Sequence, residues 1–309
     1  DSDETQITPG GSSTYDTQRS DRTLVRTSTG QLYNVVELWG DDIKVYKDTS
    51  AGGDGSAWTE QDTTNNPGGA SSGYYAPSAA IDSNDIIHIS YYSTGEGLRY
   101  VTFDSSDDTF SGDTLVIAED EGSSVNDLAT AIAIDASDYV HIAYVDADKI
   151  SGGTTDMIFY TNNTQGSWSS RVDVSERTKN EHSRYPSITL TDEDIPEIAF
   201  LNTVDGDVEA SVGNQNNATS FSIADVETSA LTSSNYGYPS IAVDSSGNTH
   251  VAYLNSSSDL YIRTHTDGSG WTTWEVSESI DTTSNIDGVS LAIDGMDRHV
   301  IATKTGYAL

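Results

Sequence analysis

A chain of 309 residues, 35% of them hydrophobic, is long enough to bury a substantial core. Its 49 Asp and Glu against 14 Lys and Arg give a net charge of −35, which argues against nucleic acid or anionic lipid as partners, because both need clustered basic side chains. The absence of cysteine excludes disulfides, thiolate nucleophiles and Cys-ligated zinc, and no run approaches the roughly 18 apolar residues of a membrane span.

The sequence is a repeat. In chain order the copies are TLVRTSTGQLYNVVEL (Thr23 to Leu38), YAPSAAIDSNDIIHISYY (Tyr75 to Tyr92), DLATAIAIDASDYVHIAYV (Asp127 to Val145), RYPSITLTDEDIPEIAFL (Arg184 to Leu201), GYPSIAVDSSGNTHVAYL (Gly237 to Leu254) and GVSLAIDGMDRHVIAT (Gly288 to Thr303). Each reads as two alternating apolar segments, strands A and B, joined by a turn whose Asp bonds its own backbone and whose Gly accepts positive φ. A third apolar segment follows as DIKVY from Asp42, GLRYV from Gly97, DMIFY from Asp156, DVEAS from Asp207 and DLYIR from Asp259. A weaker fourth strand begins near Trp58, Trp168 or Trp271. Four short strands in each unit of about 53 residues, with no helical period, predict an all-β fold: a single β-propeller of about six four-stranded blades.

The predicted blades are 19–72, 73–126, 127–182, 183–235, 236–284, and 285–309 completed by 1–18, together one domain over 1–309. The sixth copy ends where its third strand would begin, and Glu4 to Pro9 stands where a strand D would precede the first strand A. The N-terminal strand is therefore expected to pair onto the last blade and close the ring. The start at Asp1 suggests a processed, exported chain, and the acidic, lysine-poor composition suits salty surroundings, so an extracellular or cell-surface location is expected.

The S-I-A-V-D-S-S-G-N-T-H-V-A-Y-L element, with the later D-L-Y-I-R and G-W-T-T-W-E-V segments, resembles the repeats of secreted, sialidase-like β-propeller proteins of marine and salt-loving archaea and bacteria. The resemblance implies the fold and exported character but no specific activity. The turn Asp-x-x-Gly-Asn-x-His departs from the sialidase Asp box, Ser-x-Asp-x-Gly-x-x-Trp, and nothing in the sequence gathers three arginines into one site.

Chemistry is sparse. His88, His141, His250 and His299 fall at equivalent positions, expected to lie too far apart to share a metal and so to serve packing at the A–B turn or between blades. On fold analogy the ligand-binding mouth holds the residues before strand A, Tyr74, Tyr75, His182, Arg184, Tyr185, Tyr236 and Tyr238, with packing of the tyrosines on the next blade as the alternative. Carboxylates in the B–C loops, Asp146 with Asp148 and Asp205 with Asp207, are candidate Ca²⁺ ligands, with Asp41 and Asp42 a further pair. Otherwise no cofactor is indicated. Sequons at Asn162, Asn217 and Asn255 are glycosylation candidates. With 49 acidic residues no catalytic carboxylate pair stands out. The expected role is a non-enzymatic surface recognition or structural assembly module, of a cell-surface layer, filament or virion, with a protein or glycan surface as partner or by self-assembly. The alternatives are a lectin-like glycan binder and, after it, a glycoside hydrolase.

Overall fold

The computed structural model describes residues 23–37, 43–62 apart from 52 and 54, 67, 74–118 apart from 94, 129–150, 153–176, 182–228, 238–266, 271, 274, 275, 278–281 and 286–305. Every regular element among them is a β-strand. The chain divides into two compact units, Asp1–Glu119 and Asp120–Leu309.

The first unit holds two antiparallel sheets, each a meander of consecutive strands. One is β1 (Leu24–Arg26), β2 (Leu32–Glu37), β3 (Ile43–Asp48) and β4 (Trp58–Gln61); the other is β5 (Tyr74–Ile81), β6 (Ile86–Ser93), β7 (Gly97–Asp104) and β8 (Thr109–Ala118). Val25, Tyr33, Val35, Ile43 and Val45 of one sheet pack on Ala79, Ile87, Ile89, Tyr91, Val101 and Phe103 of the other, forming the core of this unit.

The second unit repeats the pattern. Its sheets are β9 (Thr130–Ile134) to β12 (Val172–Asp173) through β10 (Val140–Ile150) and β11 (Gly153–Asn162), and β13 (Ser183–Leu190), β14 (Pro196–Asn202), β15 (Asp207–Gly213) and β16 (Phe221–Glu227). Next come β17 (Ser240–Val243), β18 (Thr249–Leu254), β19 (Leu260–His265) and β20 (Glu278–Asp281), and last a two-stranded sheet of β21 (Ile286–Ile293) and β22 (His299–Thr305). Each sheet lies inside one predicted repeat. The segments expected to close the ring and to form strand C of the sixth repeat fall outside the described residues, as do Asp41, Asp42, Tyr236 and the side chains of Tyr74, Tyr75 and Asp148.

Alternation explains why strand B is buried on both faces. In the fifth sheet Ile241, Val251 and Tyr253 join the core of the fourth, while their neighbours Ala242, Ala252 and Leu254 join Val289 and Leu291 of the sixth. The fifth sheet is thus sandwiched between the fourth and the sixth, and its strand β18 is buried along its whole length rather than on one face.

Strand A, at the end of each sheet, leaves backbone N–H groups without a ladder partner. The Ser of the repeated Pro-Ser-Ile supplies one acceptor: Ser187 Oγ receives the Ile241 N–H at 3.2 Å, and Ser240 Oγ receives that of Leu291 at 2.9 Å. A Ser that looks merely polar in the sequence therefore ties consecutive sheets together.

Candidate functional site

The A–B turns set the positions of the histidines. In the fifth sheet Asp244 Oδ1 accepts the N–H groups of Ser246 and Asn248, both at 2.9 Å, and Oδ2 faces His250 Nε2 at 3.1 Å. The same Asp–His pair recurs as Asp135–His141, 3.4 Å apart, and Asp82–His88, 3.3 Å. Burial holds the His141 imidazole below its ordinary pKa against the opposing pull of Asp135. On the other ring nitrogen, Nδ1, His88 meets the Tyr100 hydroxyl at 2.5 Å and His141 that of Tyr160 at 2.6 Å. These histidines serve the turn, as expected. The expected wide separation fails for one pair: His299 Nε2 lies 3.0 Å from His250 Nδ1. The sixth sheet packs directly on the face of the fifth that carries His250, so equivalent positions of consecutive strands can touch.

The predicted mouth residues divide. Tyr185 sits in the core at 4% exposure, edge-to-face with Tyr238 at 4.6 Å between ring centres. Packing therefore takes the surface that a ligand would have used. Arg184 places Nε and Nη2 at 3.0 and 2.7 Å from Asp156 Oδ2, and His182 Nδ1 accepts the Asp156 backbone N–H at 3.1 Å. Arg184 and His182 are thus brought together on Asp156, with their side chains partly exposed. The backbones of Tyr74 and Tyr75 open β5. Both Ala76 and Tyr185 precede a proline with φ of 45° and 58°, at irregularities in the β5–β6 and β13–β14 registers. This left-handed step turns the chain into strand A.

The acidic candidates are also redistributed. Asp146 is buried and 3.4 Å from the Arg171 guanidinium, and Asp205 accepts a bond from the Asn202 amide at 3.1 Å. Asp207 gathers with Glu209 and Asp225, one carboxylate oxygen of each within 4.8 Å of the others. Asp148 lies on β10. Spacing along one loop missed this group because Asp225 comes from the adjacent strand.

One groove, of about 290 Å³, was not foreseen. It runs between the loop that leaves β11 and the turn joining β15 to β16, and its lining includes Asn162, Gln165, Trp168, Arg171, Asn217 and Thr219. The Asn216 amide fixes that turn by donating to Asp135 Oδ2 at 3.1 Å, and the Asn216 carbonyl lies 3.2 Å from the Tyr160 hydroxyl. On the other wall Ser169 Oγ accepts the Asn162 N–H at 3.1 Å, and the Arg171 guanidinium stacks 4.4 Å from the centre of the Phe159 ring. An indole and a stacked guanidinium stand beside several amides and hydroxyls. No Asp or Glu is among the described lining residues.

Two sequon asparagines line this groove. Asn162 is 2% exposed, its Oδ1 accepting the Thr164 N–H and hydroxyl, whereas Asn217 is partly exposed and bonds the Gln215 amide at 2.6 Å. Asn255 lies away from it, accepting from Ser257 and Asp259 in the β18–β19 turn.

No known protein family matches the chain, and neither does any curated protein. Solved structures do. The α-L-arabinofuranosidase of Fusarium graminearum in complex with arabinobiose superposes with a TM-score of 0.61 at 13% identity, covering 95% of this chain and 89% of that one. The Aleuria aurantia lectin in complex with Fucα1-6GlcNAc gives 0.56 at 14% identity over 91% and 87%, and a protein of unknown function from Dyadobacter fermentans gives 0.58 at 10% identity over 92% and 93%. The likeness is one of fold. It places the successive four-stranded sheets in the β-propeller class.

Proposed function

We propose that the chain is a six-bladed propeller, exported to the cell surface or the medium, that binds glycans without cleaving them, at the groove beside Trp168. The observation that carries this is the composition of the lining. An indole face offers an apolar platform for the C–H face of a sugar ring, and the amides of Gln165 and Asn217 with the hydroxyl of Thr219 offer donors and acceptors to its hydroxyls. Glycoside hydrolysis would need two carboxylates at the scissile bond. The described lining supplies none. Two of the proteins of similar fold, the arabinofuranosidase and the lectin, were solved with sugars bound, which makes a glycan the first ligand class to test.

The test is a glycan array with the full chain, followed by calorimetry of the strongest ligand with the wild type and with Trp168→Ala. Loss of the stacking platform should weaken binding by about tenfold or more, since an aromatic stacking contact contributes on the order of 1 kcal/mol beyond its buried area. Equal affinity in both proteins would place the site elsewhere. An array without a single ligand would overturn the reading.

A second reading, assembly into a surface layer or filament, has one observation in its favour. Val300 on β22 and Met296 beside it are 54% and 70% exposed. Light scattering at high and low salt distinguishes a polymer from a monomer.

A further inference from the structure

We infer that His250 and His299 form a two-histidine chelating site for a late first-row divalent ion, Ni²⁺ or Cu²⁺ in preference to Ca²⁺. This is independent of the glycan groove. The two nitrogens stand 3.0 Å apart, and with metal–nitrogen bonds of about 2.0–2.1 Å that separation corresponds to an N–metal–N angle of about 94°. Such a cis angle suits the tetragonal geometry of Cu²⁺ and Ni²⁺ with imidazole ligands better than the wider tetrahedral angle of Zn²⁺.

The sequence around His250 prepares its nitrogen for this role. On the opposite side of the ring Nε2 faces Asp244 Oδ2 at 3.1 Å, which places the ring proton there and leaves Nδ1 as the lone pair, the carboxylate–imidazole arrangement found behind metal-bound histidines. In the second and third sheets the corresponding Nδ1 is taken by a tyrosine hydroxyl, from Tyr100 or Tyr160. Those tyrosines pair in register with Ser90 and Ala143; the residue paired with the equivalent Ala252 is Ile262. An isoleucine cannot cap the imidazole, so the His250 nitrogen meets His299 and the Thr264 hydroxyl, each at 3.0 Å. His299 is solvent-exposed, which provides both an entry path and the means for its ring to move its proton from Nε2 to Nδ1 through water as the ion binds. The rings meet at 68°, with 4.7 Å between their centres. Thr264 sets an oxygen beside the site, and water would complete the coordination.

The experiment is calorimetric titration of the full chain with NiCl₂ at pH 7.5 in 1 M NaCl, where weak carboxylate binding is suppressed, for the wild type, His299→Ala and His88→Ala. One tight site per chain is expected in the wild type and in His88→Ala. His299→Ala should bind at least about tenfold more weakly, because the second donor of a chelate acts at a high effective concentration. Since His299 is exposed, that variant should fold, and its melting temperature without metal checks this. Ni²⁺ should raise the melting temperature of the wild type but not of His299→Ala. Equal Ni²⁺ affinity in the wild type and His299→Ala, or no tight site in either, overturns the inference.

Discussion

The fourth residue of each A–B turn carries a positive φ: Gly30, Asp85, Asp194, Gly247 and Asp297 among them. Glycine would accept this conformation at no steric cost, yet aspartate, one of the few other residues to tolerate it, occupies most of the positions. The structure supplies the compensation. Asp297 takes the Ser245 N–H and hydroxyl of the preceding turn at 2.9 and 2.6 Å, Asp85 takes those of Ser28, and Asp194 takes the Ala136 N–H. The first Asp of the turn does a different task, and its titration is measurable. Burial pushes the Asp244 carboxyl up, but bonds from Asn248, His250 and Ser246 outweigh it and bring the pKa down to about 2. A carboxyl depressed in the folded protein stabilises it above the unfolded value near 4, and loses that contribution as pH falls from about 4 to 2. The difference corresponds to about 2 kcal/mol. Asp244→Ala should be less stable than the wild type by that order at pH 7, and the gap should close by pH 2. Urea melts across this range check it; a gap independent of pH would mean that the carboxylate charge contributes nothing.

At the scale of the element, β15 ends at Gly213, whose missing side chain is a packing requirement. A Cβ there would lie 2.7 Å from that of Ala218 and 2.9 Å from Pro196 Cγ, so the β15–β16 turn closes tightly over the start of β14. Gly213→Ala should cost about 1–3 kcal/mol by overpacking, and it should also weaken glycan binding, because Ala218 lines the groove. A thermal melt and the glycan titration read the two effects separately. The strands themselves were legible, because alternation in Ser240 to Val243 and the Asp-led turn after it are local signals. The groove was not: Trp168 and Asn217 are 49 residues apart and meet only because consecutive sheets stack. For the same reason the sequence left Tyr185 open between packing on the next blade and contact with a ligand. Its recurrence before strand A reflected a packing position between sheets, and periodicity alone does not separate a core tyrosine from a binding one.

For the molecule as a whole, the arithmetic of the repeat leads to the closure hypothesis. The last sheet contains β21 and β22 among the described residues, whereas the others have four strands, and in a four-stranded blade the outer edge of β22 is where the next strand would pair. Ring closure by the N-terminal segment would consume that edge within the chain. Assembly through the same edge would consume it between chains, and the two predict opposite responses to truncation. If residues 1–18 complete the last blade, deleting 1–12 should lower the melting temperature by several degrees and promote association, because a strand's worth of hydrogen bonds and cover is lost. A synthetic peptide of residues 1–18 should then restore the melting temperature in a concentration-dependent way, since it binds only the folded form. An unchanged melting temperature after truncation would rule out this closure. If the full chain were polymeric as well, β22 would become the contact to mutate, with Val300→Lys placing a charge on the exposed edge.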